Sequence, residues 1–246
     1  LQGDWSSDVC SSDLGERRRR VAACIAPGGD PTLLQNTLGR LRECRELDAV
    51  VVLGDGPEGC ERADFDPDLW HDWRRSVRLA RAWSRHCWRG GIANLTVYDE
   101  VCCPRILAPV MEARGLDAAV IMGAEWTLID PALVGTVIAR HRERPEGHPL
   151  TFTQAPPGLA ACLVSRNVIA ESARAGGPHA TIGGLLGYIP IAPQADPITK
   201  PVCPSIAPEV RDILARCIPD SPARAAALGP YAGLPDRKST RLNSSH

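Results

Sequence analysis

The loop 123–130 contains the residues best suited to hold a metal ion. Glu125 and Asp130 lie in this loop, and it follows an apolar run that ends at Met122. One or two carboxylates suffice to hold Mg²⁺ when a ligand supplies further oxygens. We therefore predict a magnesium site at Glu125 and Asp130. An Asp followed by proline, as at Pro131, is also typical of a helix N-cap, and that interpretation of Asp130 stays open.

Two further turns follow apolar runs and could bind a ligand. Asp55 is a candidate for holding a base or a ribose, although Asp followed by Gly56 is also typical of an Asx-type turn. The other turn, Pro27, Gly28 and Gly29, precedes a helix and could cradle an anion at the helix N-terminus. A tight turn without a ligand is the alternative for these glycines.

The run Arg89, Gly90 and Gly91 places a cation beside two small residues. This pattern suits close approach of a phosphate or of a partner backbone. The alternative is the end of a helix, since glycine commonly follows the last helical turn. Four tryptophans precede this run at residues 70, 73, 83 and 88, and we interpret them as core or interface packing.

Strand-length apolar runs alternate with segments of helical periodicity along the chain. Strands are predicted at 21–26, 48–54, 94–98, 117–122, 150–153 and 159–164. Helices are predicted from Pro31, over 70–88, over 104–114, from Pro131, over 165–175 and over 208–217. The segment 60–68 is interpreted as irregular. This alternation indicates an α/β fold with three layers, α/β/α, and a mostly parallel sheet.

Both ends of the chain look foreign to the protein. One DNA strand can encode DWSSDVCSSDL near the start, and the complementary strand then encodes DRKSTRLNSS near the end. We interpret 1–14 and 236–246 as translated sequencing adapter around a fragment, such as a metagenomic one. The predicted domain spans 15–190, and 191–235 is predicted to be a proline-rich tail and helix that lead to a missing downstream domain.

Composition narrows the expected partners. The formal net charge is −1, so no broad nucleic-acid surface is expected, and the run 17–20 is interpreted as a solvated lead-in to the first strand. The apolar runs are too short for a membrane span. The ten cysteines form no CxxC pair, which favours free thiols in the cytoplasm. We expect neither a zinc nor an iron–sulfur site in this stretch.

Three segments together resemble the nucleotide-diphospho-sugar transferase (GT-A) superfamily, particularly its cytidylyltransferase and other nucleotidyltransferase branches. They are VAACIAPGGDPTLLQNTLGRL from Val21, VVVLGD from Val50 and GAEWTLIDPALV from Gly123. The resemblance covers about residues 20–175. It implies that the loop 27–30 holds a nucleotide through backbone amides and that Glu125 holds Mg²⁺.

The chain departs from this family at the cations that neutralise the triphosphate. No Arg or Lys lies between Val21 and Gly39, and Lys200 is the one lysine outside the terminal runs. Stabilisation of a leaving pyrophosphate is mostly electrostatic, so these cations matter for catalysis. The resemblance therefore implies a degenerate domain that binds a nucleotide or nucleotide sugar. An active Mg²⁺-dependent nucleotidyl- or glycosyltransferase that uses Arg89 is the first alternative, and a structural domain is the second.

The segment 83–100 and the tail 181–221 match no nucleotidyltransferase motif. They look more like the degenerate GT-A-like domain that precedes a radical-SAM and SPASM module in some large bacterial proteins. This second resemblance implies an accessory role beside a downstream domain of the same chain.

Overall fold

The computed structural model describes residues 18–26, 30–71, 74–75, 102–176, 203–213 and 215–232. Several predicted features lie outside these residues: the turn 27–29, the strand 94–98, the run 89–91, most of the helix 70–88 and most of the proline-rich segment. The described elements alternate between strands and helices. In chain order they are β1 Val21–Ile25, α1 Pro31–Leu41, β2 Ala49–Leu53, β3 Glu61–Ala63, α2 Pro104–Ala113, β4 Ala118–Met122, α3 Pro131–Glu143, β5 Leu150–Thr151, β6 Cys162–Ser165, α4 Arg166–Ala175, α5 Pro208–Arg211 and α6 Pro222–Ala232.

The strands form one sheet of six, in the order β3-β2-β1-β4-β6-β5. β1 pairs in parallel with β2 and β4, and β2 pairs in parallel with β3. β6 runs antiparallel to both of its neighbours. The prediction of a mostly parallel α/β sheet is confirmed. The chain leaves β1 toward β2 on one side and returns to β4 on the other, so the strand order reverses at β1.

Helices cover both faces of the sheet, as the three-layer prediction requires. Successive residues of a strand point to opposite faces. Ala22 and Cys24 of β1 belong to one cluster with α2 and Ile169 of α4. Val21, Ala23 and Ile25 face a second cluster with α1 and α3. β1 and β4 are buried at every position.

Side-chain caps start the helices beside the strand ends. Asp30 accepts hydrogen bonds from the amides of Thr32 and Leu33, and Ser165 accepts one from Val168. Each cap satisfies amides that a helix N-terminus leaves unpaired. The helix predicted from Pro31 and the helix predicted over 165–175 are therefore confirmed at their starts.

Two predictions of local structure were wrong. The segment 60–68, interpreted as irregular, contains the edge strand β3, which pairs with β2 from Val51 to Leu53. The helix predicted over 208–217 ends at Arg211. The chain beyond it is held by a tertiary contact instead, because the amide of Cys217 donates to the carbonyl of Pro157 at 2.8 Å.

A close backbone approach explains the glycine at this contact. Gly158 has φ of +96°, and a Cβ there would collide with the carbonyl oxygen of Cys217. Ile218 then packs into the same core cluster as α1 and α3.

In the described part of the chain, no helix combines the length and the hydropathy that crossing a membrane requires.

Candidate functional site

A cleft of about 820 Å³ opens at the carboxyl ends of β2 and β3. The segments that follow these two strands form two walls of the cleft, and the first turn of α1 forms a third. The cleft is lined by Pro31, Leu34, Gln35, Gly54, Asp55, Gly56, Pro57, Glu58, Asp64, Phe65, Pro67 and Trp70. Ligands of open α/β sheets bind beyond the carboxyl ends of the strands, near the point where the strand order reverses. This cleft lies at that edge, next to β1, and has the size of a small-molecule site.

Asp55 and Asp64 lie at the ends of two neighbouring strands. Leu53 of β2 is in register with Ala63 of β3. The amide of Gly54 extends this pairing by donating to the carbonyl of Ala63 at 2.8 Å. Parallel strands are about 4.8 Å apart, so the register places Asp55 and Asp64 at the same edge of the sheet, and both residues line the cleft. Asp55 is exposed, so its carboxylate is accessible to a ligand.

The loop after β2 is closely packed beneath the cleft. A Cβ on Gly56 would lie 2.7 Å from Sγ of Cys60 and 3.2 Å from Cγ1 of Val52. The Cys60 thiol donates to the carbonyl of Pro57 at 3.0 Å. These contacts fix the loop that carries Asp55, so this carboxylate is held by a rigid support.

An aromatic pair forms part of the wall, and sequence reasoning missed it as a site. The rings of Phe65 and Trp70 meet edge to face, with centroids 5.9 Å apart and an interplanar angle of 65°. Trp70 lies in a helical segment at 67–71, which Asp66 caps by accepting from the amide of Asp68 at 2.9 Å. Asp66 followed by Pro67 was a usable signal for this early helix start.

Glu125 follows the carboxyl end of β4, and its role as a metal ligand stays a prediction. Its side chain folds back over the strand end, because a Cβ on Gly123 would lie 2.6 Å from Oε2 of Glu125. β4 and β1 end side by side, since the amide of Ala26 donates to the carbonyl of Met122 at 2.9 Å. Glu125 therefore follows a strand whose end lies beside Ala26, at the end of β1.

The loop that carries Glu125 is anchored from both sides. The hydroxyl of Thr37 on α1 donates to the carbonyl of Ala124 at 2.8 Å. Trp126 is buried beneath the loop, and its amide donates to the carbonyl of Gly123 at 3.4 Å. Glu125 itself is half-buried, so its carboxylate is placed by a folded loop rather than by a free one.

Asp130 caps α3, the alternative that the sequence left open. Its Oδ1 accepts from the amides of Ala132 at 2.8 Å and Leu133 at 3.4 Å. The role of Asp130 at a metal ion stays a prediction. Among the described residues, no three His, Cys, Asp or Glu side chains converge as metal ligands. A magnesium ion here would therefore need oxygens from a bound ligand as well as from Glu125.

The remaining predicted site residues lie outside the described part of the chain. These are Pro27, Gly28 and Gly29 after β1, and Arg89, Gly90 and Gly91. Of the predicted set, the structure thus places Asp55 in the cleft and Glu125 on the same edge of the sheet. The described residues that line the cleft include Asp55, Glu58 and Asp64 but no Lys or Arg.

Comparisons with known proteins give similarity in structure alone. No protein-family model matches the chain, and no curated protein sequence is significantly similar to it. A solved cytidylyltransferase from Leptospira borgpetersenii serovar Hardjo-bovis is similar, with a TM-score of 0.54, 11% sequence identity and coverage of 85% of this chain and 84% of that chain. A nucleotidyl transferase from Methanothermobacter thermautotroptrophicus is also similar, with a TM-score of 0.41, 11% identity and coverage of 68% of this chain and 80% of that chain. The first match shows a fold shared with that cytidylyltransferase, and the second is too distant to support an argument.

Proposed function

We propose that this domain binds a nucleotide or a nucleotide sugar at the carboxyl edge of its sheet. The base and ribose lie in the cleft at Asp55, and the phosphates point toward the loop 27–29 and Glu125. The observation that carries this proposal is the cleft itself, which combines carboxylates with an aromatic pair next to the strand-order reversal.

The spacing of the strands supports this orientation. The cleft lies over β2 and β3, and Glu125 follows β4, which is two strands away from β2. Two strand spacings amount to about 10 Å, which suits a nucleotide with its base at one end and its phosphates at the other. Phosphates near Glu125 require Mg²⁺ between the two anions, and phosphate oxygens complete the coordination of that ion.

We also propose that the domain has lost transferase activity and serves a larger enzyme as its nucleotide-binding part. A leaving pyrophosphate needs cations, and the chain has no Arg or Lys from Val21 to Gly39. The described lining of the cleft adds none. A downstream domain of the same chain would act on the bound ligand or on a substrate held beside it.

An active Mg²⁺-dependent nucleotidyl- or glycosyltransferase is the second candidate. The observation that favours it is the position of Glu125 at the end of β4, where the family resemblance puts the metal carboxylate. In that case Arg89 would supply the cation to the phosphates.

Isothermal titration calorimetry tests the binding proposal. The full chain is titrated with CTP, GTP, UTP and ATP, each with and without Mg²⁺. We expect at least one nucleotide to bind more tightly with Mg²⁺ and to lose this gain in Glu125→Gln. Asp68→Asn is the matched control, because Asp68 is exposed in the same part of the fold but does not line the cleft.

A pyrophosphate-release assay separates the two candidates. The acceptors are candidate sugar phosphates and phosphorylated alcohols. Nucleotide binding without release of pyrophosphate agrees with the accessory domain. Release that depends on Glu125 and Arg89 establishes the active transferase instead. If no nucleotide binds to the folded chain, both candidates are contradicted.

A further inference from the structure

The described lining of the cleft contains three carboxylates and no Lys or Arg, so it offers a ligand mainly hydrogen-bond acceptors. We propose that the cleft reads the base of the nucleotide and prefers guanine, with uracil as the base it rejects most strongly. This inference rests on the proposed function, because it requires the base to lie in this cleft. It adds the identity of the base, which the fold does not determine.

The carboxylates of the cleft set this preference. Asp55 and Asp64 project from neighbouring strand ends, and Glu58 lies on the loop between them. An ionised carboxylate only accepts hydrogen bonds. In the described part of the chain, no ion pair or hydrogen bond occupies these three carboxylates. The base that fits must therefore present donors to this wall.

The four bases differ in the donors that they can present. Guanine offers N1–H and the N2 amino group side by side, a pair that matches the two oxygens of one carboxylate. Cytosine and adenine offer one amino group beside an acceptor nitrogen. Uracil offers a single N–H between two carbonyl oxygens, which would face the carboxylate and repel it. Hydrogen bonds to an ionised acceptor are stronger than neutral ones, which increases this discrimination.

Two other features of the cleft fit a purine with a carbonyl group. Phe65 and Trp70 both line the cavity and provide aromatic carbon against which a large planar base can stack. Gln35 is exposed on the first turns of α1 and also lines the cleft. Its amide can donate to O6 of guanine while a carboxylate accepts from N1–H and N2.

Calorimetry with five triphosphates and Mg²⁺ tests the preference on the unaltered full chain. The ligands are GTP, ITP, ATP, CTP and UTP. We expect GTP to bind at least about tenfold more tightly than UTP, a ratio typical of one bidentate base contact. ITP lacks the N2 amino group and should bind between these two, so the test does not depend on any variant folding correctly.

Variants then locate the discrimination. Asp55→Asn and Asp64→Asn keep the shape of the side chain but add a donor, and we expect at least one of them to reduce the ratio of GTP to UTP affinity severalfold. Asp68→Asn should keep the ratio unchanged. Equal affinities for GTP and UTP, or equal affinities for GTP and ITP, would overturn the guanine preference and leave nucleotide binding intact. If none of the five binds, the proposed function fails together with this inference.

Discussion

Carboxylates lie at both ends of the parallel strands and make different contacts there. We call the side of the sheet where these strands begin the amino edge and the side where they end the carboxyl edge. At the amino edge, Oδ2 of Asp48 accepts from the amide of Val21 and from Arg142, both at 2.8 Å. Asp117 accepts from the amide of Arg20 at 2.8 Å. At the carboxyl edge, the acids of the cleft make no such bonds to the described residues. Asp48 and Asp117 therefore stabilise the fold, whereas Asp55, Glu58 and Asp64 remain available to a ligand.

The largest effect on stability should come from Asp48→Ala at the amino edge. This change leaves the amide of Val21 and the guanidinium of Arg142 without their acceptor, and Nε of Arg142 is already buried without a hydrogen bond. We expect the free energy of unfolding to fall by about 3 kcal/mol. Urea denaturation followed by circular dichroism measures this loss.

Asp55→Ala at the carboxyl edge is the matched comparison for Asp48→Ala. It should change the free energy of unfolding by less than about 0.5 kcal/mol, as surface substitutions usually do. Equal losses from the two substitutions would break the distinction between the edges.

The aromatic pair gives the next largest effect, on binding rather than on folding. Trp70→Leu removes a ring that lines the cleft. Base–aromatic stacking contributes about 1–3 kcal/mol, so the affinity for the preferred nucleotide should fall about tenfold or more. Calorimetry measures it, and a thermal melt checks that the variant is folded. Unchanged affinity would show that the base lies elsewhere.

Gly123→Ala should affect the metal dependence of binding more than stability. A Cβ at Gly123 collides with the carboxylate of Glu125 at 2.6 Å, and this flexible side chain must move away from the end of β4. We expect Mg²⁺ to increase nucleotide affinity less than it does in the unaltered chain. The free energy of unfolding should fall by less than in Asp48→Ala, because the group that has to move is the end of a flexible side chain. A full magnesium effect in this variant would exclude Glu125 as a ligand.

The smallest expected effect is a pH dependence of stability that comes from His141. Burial lowers the pKa of His141 below its ordinary value of 6.5, and its Nδ1 lies 2.8 Å from the carbonyl of His148. The unfolded chain therefore binds a proton at this residue more readily than the folded chain does. The contribution of neutral His141 to the free energy of unfolding should be fully present above pH 6.5 and should decrease as the pH falls below it. Denaturation curves between pH 7.5 and about 5.5 test this, and His141→Gln should remove part of the slope.

The sequence predicted the central strands and their helices because these elements carry local signals. β1 and β4 are continuous apolar runs, and Asp30 and Asp130 precede prolines at helix starts. Position after β4 also predicted Glu125 at the carboxyl edge. That prediction needed only the rule that parallel strands end together.

The parts that were missed depend on tertiary contacts. β3 has the sequence ERA with two exposed residues, and its hydrogen bonds to β2 leave no apolar pattern to detect. For that reason Asp64 and Phe65 were not recognised as parts of the cleft. The helix α6 was also missed, although its alanine-rich run favours a helix.

Hydrogen–deuterium exchange with and without Mg²⁺ and the preferred nucleotide tests the central claim most directly. We expect slower exchange in peptides that cover 54–70 and 123–130, and no change at the amino edge around 18–20, 48 and 117. Protection at the amino edge, or none at the carboxyl edge when calorimetry shows binding, would contradict it.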